Sequence, residues 1–207
     1  MLSYIKVVVF DLGRVLIDFD HNLSASAFAK ITKKPAHQIY NLFFDSPLVA
    51  SFEEGKISPY DFFVQVKQLL KTEDLSYEQF CLLWNDIFYL SEENKQVYQL
   101  AKKIKQHYKI ALLSNVNILH WQYLIQKFAI FDVFDYIFTS FSYGYIKPHP
   151  KIYEIMLNHL AVEPGEVFYV DDRPELIAQA RKQGINGFVY YGIEQLYKDL
   201  ACCGIIL

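Results

Sequence analysis

Short apolar runs, bounded by polar residues or glycine, recur along the chain. They cover residues 5–10, 110–113, 136–139, 167–170 and 187–190. Runs that are apolar at every position, rather than at every second position, are typical of strands buried on both faces. The pattern therefore predicts a parallel β-sheet that is covered by helices on both sides.

Stretches with the periodicity of amphipathic helices separate these runs, at residues 92–107, 117–128, 150–160, 174–183 and 193–201. Ser91 before the first stretch and Gly184 after the fourth are common start and stop signals of helices. The alternation of strands and helices predicts an α/β fold with a doubly wound, Rossmann-like parallel sheet.

One long segment interrupts this alternation. After the first run and up to residue 89 there is no comparable strand pattern, and helical periodicity appears instead at residues 23–31, 36–44, 59–70 and 77–89, with breaks at Pro47 and Gly55. A structureless loop of this length is uncommon in a compact domain. We therefore expect residues 18–90 to form an inserted helical domain, and residues 1–17 and 91–207 to form the α/β core.

Composition and charge narrow the classes of protein that fit this pattern. The chain has 207 residues, of which 53% are hydrophobic, and a formal net charge of −3. The apolar fraction excludes a mainly disordered chain, and the slight acidic excess argues against a nucleic-acid partner. The apolar runs are too short for a signal peptide or a membrane span. We expect a monomer or a weak homodimer with no membrane partner.

The cysteines indicate the cellular compartment. Cys81, Cys202 and Cys203 are too few for a disulfide framework, and no Cys or His pair stands at the spacing of zinc ligands. Free thiols are typical of a reducing compartment. We therefore expect a cytoplasmic protein.

Polar side chains follow the predicted strands at the edge where ligands bind in open α/β sheets. These side chains are Asp11, the pair Ser114-Asn115 and the pair Asp171-Asp172, with Lys147 ahead of the helix that begins near residue 150. An Asp after a strand, taken alone, is more often a turn or cap residue, and each of these elements is a weak signal by itself. Their occurrence after several strands of one sheet predicts a shared crevice.

The chemistry of these side chains is coherent. Clustered carboxylates repel one another, and a hard divalent cation relieves that repulsion. Mg²⁺ prefers oxygen ligands and keeps several waters, so it suits a few carboxylates together with a phosphate. A carboxylate can attack phosphorus as a nucleophile, and a lysine can neutralise charge on the phosphoryl oxygens.

This set of residues resembles the haloacid dehalogenase-like (HAD) hydrolase superfamily. The four motifs of that superfamily occur in order as VVVFDLGRV at 7–15, LLSN at 112–115, KPHP at 147–150 and VDDRP at 170–174. The inserted helical segment corresponds to the helical cap of the superfamily. Its stretch FEEGKIS at 52–58 is similar to the glucose-1-phosphatase-like branch.

The resemblance implies a role for each of these residues. Asp11 would be the nucleophile that forms an aspartyl-phosphate. Mg²⁺ would be held by Asp11, the backbone carbonyl of Gly13 and Asp172, with Asp171 close by. The phosphoryl group would be bound by Ser114, Asn115 and Lys147. The substrate would be a small phosphorylated metabolite, with a sugar phosphate as the expected class.

Gly13 departs from the pattern of that superfamily, in which most phosphatases carry a second Asp two residues after the nucleophile. That Asp serves as general acid and then as general base, and such help is typically worth about 10² to 10⁴ in rate. Gly13 keeps the carbonyl for the metal but supplies no proton. We therefore expect a leaving oxygen that needs little protonation, as in an anomeric sugar phosphate.

Three side chains after the first motif are alternative proton donors, namely Asp18, Asp20 and His21. Histidine has the ordinary pKa closest to neutrality, which favours His21 among them. A helix-capping role for Asp20 and a solvent-facing position for the others compete with this interpretation. His149, beside Lys147, is expected to begin a helix.

Three functions remain open from the sequence. The first is the Mg²⁺-dependent phosphatase, and the second is a metal-free 2-haloacid dehalogenase, which would not need the pair Asp171-Asp172. The third is a catalytically weak protein that binds a phosphorylated ligand, as Gly13 suggests. In this superfamily the cap closes over the leaving group. The candidate cap contacts are Phe43, Phe44, Phe52 and Glu53.

Overall fold

The computed structural model describes residues 4–32, 34–44 and 46–207, and a parallel sheet of five strands lies at the centre of this part of the chain. In chain order the strands are β1 (Val7–Phe10), β2 (Asp18–Phe19), β3 (Phe88–Tyr89), β4 (Lys109–Ser114), β5 (Tyr136–Thr139), β6 (Val167–Asp171) and β7 (Asn186–Val189). The sheet has the order β5-β4-β1-β6-β7, and β2 and β3 form a separate antiparallel pair. The predicted parallel sheet is confirmed.

The helices connect and cover these strands. In chain order they are α1 (His21–Thr32), α2 (Ala36–Phe44), α3 (Pro47–Glu53), α4 (Pro59–Leu70), α5 (Tyr77–Asn85), α6 (Glu92–Ile104), α7 (Ile118–Lys127), α8 (Ser140–Tyr143), α9 (Pro150–Leu160), α10 (Pro174–Lys182) and α11 (Ile193–Cys202). Within the described ranges, none of them has both the length and the apolar character that a membrane crossing requires.

The two faces of the sheet are buried by different helices, because successive side chains of a strand point to opposite faces. Val7 and Val9 of β1 belong to a core that includes residues of α9 and α10. Val8 and Phe10 belong to a second core that includes residues of α6 and α11. All four side chains of β1 are fully buried, which explains why the strand is apolar at every position.

The strand order places a topological switch point between β1 and β6. From β1 the chain builds the sheet outward through β4 and β5, and it then returns to the other side of β1 to form β6 and β7. In open α/β sheets, ligands bind beyond the carboxyl ends of the strands at such a point. Asp11 follows β1 and Asp171 ends β6, so both carboxylates lie at this position.

Helices α1–α5 have an apolar core of their own, rich in aromatic side chains. The Phe52 ring stacks on the Phe62 ring with centroids 4.1 Å apart, and Phe62 meets Trp84 edge-on at 5.0 Å. The chain enters and leaves this segment through β2 and β3, where Phe19 is paired with Phe88. The predicted boundaries at 18 and 90 fall at this strand pair, and the division into two domains stays a prediction.

The structure corrects two details of the predicted helical segment. A helix, α3, occupies residues 47–53, where Pro47 was expected to mark a break; Pro47 instead starts the helix, and the Ser46 hydroxyl accepts a hydrogen bond from the Val49 amide at 3.4 Å. The last predicted helix, 77–89, ends at Asn85, because the chain then forms β3.

Candidate active site

Three carboxylates meet at the switch point of the sheet. Asp11, Asp171 and Asp172 each present an oxygen, and these oxygens lie within 4.8 Å of one another. Asp171 is completely buried and Asp11 nearly so, whereas Asp172 is half-buried. The residues that the sequence placed after β1 and β6 therefore do converge.

Lys147 lies among these carboxylates although it is 136 residues away from Asp11 along the chain. Its Nζ donates hydrogen bonds of 2.7 Å to Asp11 Oδ1 and to Asp171 Oδ2, and one of 3.0 Å to the Leu113 carbonyl. Burial alone would lower the pKa of Lys147, but the two carboxylates raise it above its ordinary value. Lys147 is therefore a buried, permanently charged ammonium group.

Asn115 and Ser114 stand at the end of β4 and differ in how their side chains are used. The Asn115 amide clamps the main chain of Lys147: its Nδ2 donates to the Lys147 carbonyl at 2.9 Å, and its Oδ1 accepts from the Lys147 amide at 2.7 Å. Within the described residues, the Ser114 hydroxyl makes one long hydrogen bond, 3.4 Å, to the Asn115 carbonyl. Asn115 thus fixes the loop that carries Lys147, and Ser114 lines the cavity beside Asp11.

Burial, together with a neighbouring like charge, raises the pKa of the two carboxyls that face the cavity. Burial, with repulsion from Asp171, raises the pKa of Asp11 to about 7, while Lys147 opposes the shift. Burial and Asp171 also raise the pKa of Asp172. In both cases burial is the larger cause and the neighbouring carboxylate adds to it, so a further positive charge in the cluster would favour the ionised forms.

A hard divalent cation fits this donor set. Both oxygens of Asp171 already accept hydrogen bonds, Oδ1 from the Arg173 amide at 3.0 Å and Oδ2 from Lys147 and the Tyr169 hydroxyl. Asp11 uses only one oxygen towards Lys147, and within the described chain no other residue donates a hydrogen bond to the Asp172 carboxylate. Asp11 and Asp172 thus offer free carboxylate oxygens, the ligands that Mg²⁺ prefers.

Gly13 leaves no room for a side chain at the position where the superfamily usually carries its acid. A Cβ built on Gly13 would lie 2.9 Å from Cε1 of Phe19, which is closer than carbon atoms normally approach. Phe19 is held in turn by the Arg14 guanidinium, 4.4 Å from the ring centroid, and by the Phe88 ring. An aromatic ring therefore fills the space next to Gly13.

A cavity of about 520 Å³ lies between the strand ends and the helical segment. Its wall on the side of the sheet includes Asp11, Ser114, Asn115, Lys147 and Asp172. Its opposite wall includes Pro47, Val49, Ala50, Glu53 and Trp84 from α3 and α5. The volume suits a small molecule.

The side chains considered as proton donors after the first motif occupy different places. Asp20 accepts hydrogen bonds from the amide and side chain of Asn22 at 2.9 Å, as a turn residue before α1 does. Asp18 pairs with Arg14 at 3.9 Å. His21 lines the cavity, with its ring 4.8 Å from that of Phe19.

His149 begins α9 as expected, since its Nδ1 accepts a hydrogen bond from the Lys151 amide at 3.1 Å.

The candidate cap contacts separate into core and cavity residues. Phe43 and Phe52 are buried in the core of the helical segment and do not line the cavity, while Glu53 lines it. The side chain of Phe44 lies outside the described residues.

Sequence reasoning missed Phe19, Arg173 and His120, which also line the cavity. Arg173 follows the acidic pair directly, and that adjacency was the available signal for it.

Comparison with known proteins identifies the class that this fold and these strand-end residues define. Residues 5–184 match the model of the haloacid dehalogenase-like hydrolases. The chain belongs to the haloacid dehalogenase-like hydrolase family. The family expected from the sequence is thereby confirmed, and with it an enzyme of the hydrolase class.

Individual relatives are phosphatases. The chain is 28% identical to D-ribitol-5-phosphate phosphatase of Bacteroides thetaiotaomicron over 190 residues, which cover 89% of this chain and 91% of that protein. It is also similar to the crystal structure of a HAD family enzyme of B. thetaiotaomicron in complex with magnesium and inorganic phosphate. That likeness has a TM-score of 0.80 and 26% identity, and covers 89% of this chain and 93% of the other.

A dehalogenase shares the fold at a greater distance. L-2-haloacid dehalogenase of Xanthobacter autotrophicus superimposes with a TM-score of 0.64 at 21% identity, over 98% of this chain and 85% of that one. This likeness concerns the fold alone.

Proposed function

We propose that this chain is a Mg²⁺-dependent phosphatase that removes phosphate from a small phosphorylated polyol or sugar through an aspartyl-phosphate intermediate. The observation that carries the proposal is the contact of Lys147 with Asp11 inside a three-carboxylate cluster that opens into a cavity of metabolite size. The relative that acts on D-ribitol 5-phosphate supports the substrate class.

Asp11 is the proposed nucleophile. One of its carboxylate oxygens attacks phosphorus, the bond between phosphorus and the ester oxygen breaks, and the released alkoxide takes up a proton. Water then attacks the phosphorus of the aspartyl-phosphate, which restores the Asp11 carboxylate and releases inorganic phosphate. Both steps need the same carboxylate in one place, and the hydrogen bond from Lys147 holds it there.

Lys147 and Ser114 are the proposed phosphoryl ligands. The ammonium group of Lys147 neutralises charge on the transferred group, and its burial strengthens that interaction because water does not screen it. The Ser114 hydroxyl lines the same end of the cavity and is available as a donor. The side chain of Asn115 supports this site because its hydrogen bonds to the main chain of Lys147 hold the loop that carries the ammonium group.

The proposed metal ligands are Asp11, the backbone carbonyl of Gly13 and Asp172, with Asp171 behind them. A bound Mg²⁺ supplies positive charge that offsets the phosphate and the clustered carboxylates. Asp171, which accepts from Lys147, Tyr169 and the Arg173 amide, keeps the surrounding groups in position. We further propose that residues 18–90 act as the cap of this site.

The acidic cluster favours the phosphatase over the two alternatives. A dehalogenase needs no cation, whereas three clustered carboxylates, with the pKa of Asp11 and of Asp172 raised, suit a site that binds one. A protein that only binds a phosphorylated ligand has no need of a carboxylate at the nucleophile position beside Lys147.

Hydrolysis of a panel of phosphate esters tests the proposal. The panel contains p-nitrophenyl phosphate, sugar phosphates, D-ribitol 5-phosphate and nucleotides, each with Mg²⁺ and with excess EDTA. We expect Mg²⁺-dependent release of phosphate that Asp11→Asn reduces by at least about a thousandfold. Asp74→Asn, which changes an exposed acid remote from the cavity, is the matched control and retains activity.

Three results would contradict the proposal. They are phosphate release that survives EDTA, release that Asp11→Asn does not diminish, and release of halide from chloroacetate in place of phosphate from the panel. Binding of a phosphate analogue by the wild type without turnover of any ester would favour a ligand-binding protein instead.

A further inference from the structure

On the side of the sheet, the position at which the superfamily usually carries its proton donor is Gly13. The ester oxygen that leaves phosphorus must gain a proton, and general acid help of this kind is worth about 10² to 10⁴ in rate. Gly13 has no side chain, and the Phe19 ring fills the space that one would need. A donor has to come from another wall of the cavity.

Glu53 stands on the opposite wall. It is the last residue of α3 and lines the cavity together with Asp11, Lys147 and Asp172. Its neighbour Phe52 is fully buried against Phe62, so the end of the helix is fixed in the core of the helical segment. With Phe52 turned into this core, Glu53 faces the cavity.

The turn that follows α3 also fixes the position of Glu53, through a contact with the α/β core. Gly55 has φ +66°, and a Cβ at this position would lie 2.4 Å from the Phe141 carbonyl oxygen in α8. The turn therefore rests directly on the α/β core. Beyond it, the Ser58 hydroxyl accepts a hydrogen bond from the Asp61 amide at 3.1 Å and begins α4. The position of Glu53 is thus set by contacts to both sides of the cavity.

The surroundings of Glu53 suit a proton donor. Across the described ranges of the chain, no residue forms a hydrogen bond or ion pair with its carboxyl group. Burial raises the pKa of Glu53 to about 7, while the charges of Arg173 and Lys147 oppose the shift. The other ionisable side chains that line the cavity are Asp11, Arg14, His21, His120 and Asp172.

We propose that Glu53 is the general acid and base of this enzyme, acting from the helical segment in place of the acid that Gly13 lacks. As the bond between phosphorus and the ester oxygen breaks, the Glu53 carboxyl transfers its proton to that oxygen, so the product leaves as a neutral alcohol. The resulting carboxylate then accepts a proton from the water that attacks the aspartyl-phosphate, which restores the acid.

This inference rests on the proposed function and changes its expected range of substrates. With Glu53 as the donor, the enzyme hydrolyses esters with a strongly basic leaving oxygen, such as the primary alkyl phosphate of a polyol. The sequence alone had favoured an anomeric sugar phosphate, because Gly13 gives no proton. Because Glu53 lies in the segment proposed as the cap, the same wall of the cavity would both contact the leaving group and supply its proton.

Glu53→Gln tests the inference, since it keeps the size of the side chain and removes the transferable proton. kcat/KM is measured for wild type and variant over p-nitrophenyl phosphate, phenyl phosphate, a sugar 1-phosphate and D-ribitol 5-phosphate, an order of increasingly basic leaving groups. We expect a loss of about 10² to 10⁴ for the polyol phosphate and less than about fivefold for p-nitrophenyl phosphate. Glu54→Gln, whose side chain pairs with Lys56 outside the cavity, is the control.

The outcomes separate the two proposals. If wild type hydrolyses the esters and Glu53→Gln slows all of them by one factor, or none, the inference is overturned and the proposed function stands. If wild type hydrolyses none of them, both fall. Glu53→Asp guards against a folding defect in the first variant: a shortened acid is expected to retain part of the rate on the polyol phosphate, and a rate no better than that of the glutamine variant counts against proton transfer.

Discussion

Among single residues, Glu53 couples the stability of the fold to pH, because burial raises the pKa of its carboxyl from 4.5 to about 7. Between these values the folded chain keeps a proton that the unfolded chain has released, so stability falls as the pH rises through this window. The loss of folding stability caused by ionising Glu53 is complete above about pH 7. At about 1.4 kcal/mol per pKa unit it amounts to no more than about 3 kcal/mol, because Glu53 is partly accessible.

Glu53→Gln should therefore stabilise the protein at high pH while it lowers the rate on alkyl phosphates. The free energy of unfolding, measured with urea, is expected to exceed that of wild type by up to about 3 kcal/mol at pH 8, and the gain should shrink towards zero near pH 4.5. Glu54→Gln should differ from wild type by less than about 1 kcal/mol at both pH values. A gain for Glu53→Gln that is equal at both pH values would contradict this account.

The residues that the sequence predicted best are those whose position depends only on the sheet. Asp11, Asp171 and Asp172 follow strands, and parallel strands bring their carboxyl ends to one edge, so local patterns suffice to bring them together. Phe19 was not predicted, and Glu53 was one of four candidate cap contacts that the sequence could not tell apart. The Phe19 ring at Gly13 and the exposure of Glu53 to the cavity depend on how the helical segment packs on the sheet.

Among the elements, the turn between α3 and α4 carries the contact that fixes α3 against the core. Gly55 adopts a left-handed conformation that costs other residues about 1–2 kcal/mol, and it also approaches the Phe141 carbonyl. Gly144, which ends α8, has a similar φ of +79°, but a Cβ there would meet no atom within 4 Å. The two glycines thus differ in steric contact although both have a similar positive φ.

This pair gives a matched test of the contact between the turn and α8. Gly144→Ala is expected to lower the free energy of unfolding by about 1–2 kcal/mol, through backbone strain alone. Gly55→Ala should cost at least about 2 kcal/mol more, because a methyl group would displace the turn from Phe141. It should also slow hydrolysis of the polyol phosphate by shifting Glu53. Equal losses of stability in urea titrations of the two variants would show that the contact is not tight.

Strands and helices were predictable where a clear hydrophobic pattern extends over the whole element. The prediction failed where tertiary contacts determine the residues at which an element begins or ends. The sheet strands agreed with prediction to within two residues. Helix α3 has only seven residues, and Pro47, which starts it, was expected to mark a break. The predicted helix at 77–89 continues its apolar pattern beyond Asn85, but pairing of Phe88 with Phe19 turns these residues into a strand.

At the scale of the whole molecule, His120 of α7 joins the α/β core to the helical segment. Its Nε2 lies 3.2 Å from the carbonyl oxygen of Trp84, which can only accept, so Nε2 carries the proton. Its Nδ1 faces the Asn117 Nδ2 donor at 3.0 Å and has to be unprotonated. The ring is also stacked on Trp84. The contact between the two parts of the molecule therefore requires a neutral imidazole.

Acid should weaken this junction. Burial lowers the pKa of His120 from 6.5 to about 3, so below pH 6.5 the unfolded chain binds a proton that the folded chain does not, and stability falls as the pH decreases. Between pH 7 and pH 5 we expect His120 to account for about 2 kcal/mol of lost stability. His120→Gln should be less stable than wild type at pH 7 but should lose about 2 kcal/mol less on acidification.

The control is His37→Gln, at an exposed position in α2, which should lose as much stability between pH 7 and pH 5 as wild type does. Urea titrations of the three proteins at both pH values measure these losses. A His120→Gln variant that loses as much stability as wild type would mean that His120 is charged in the folded protein.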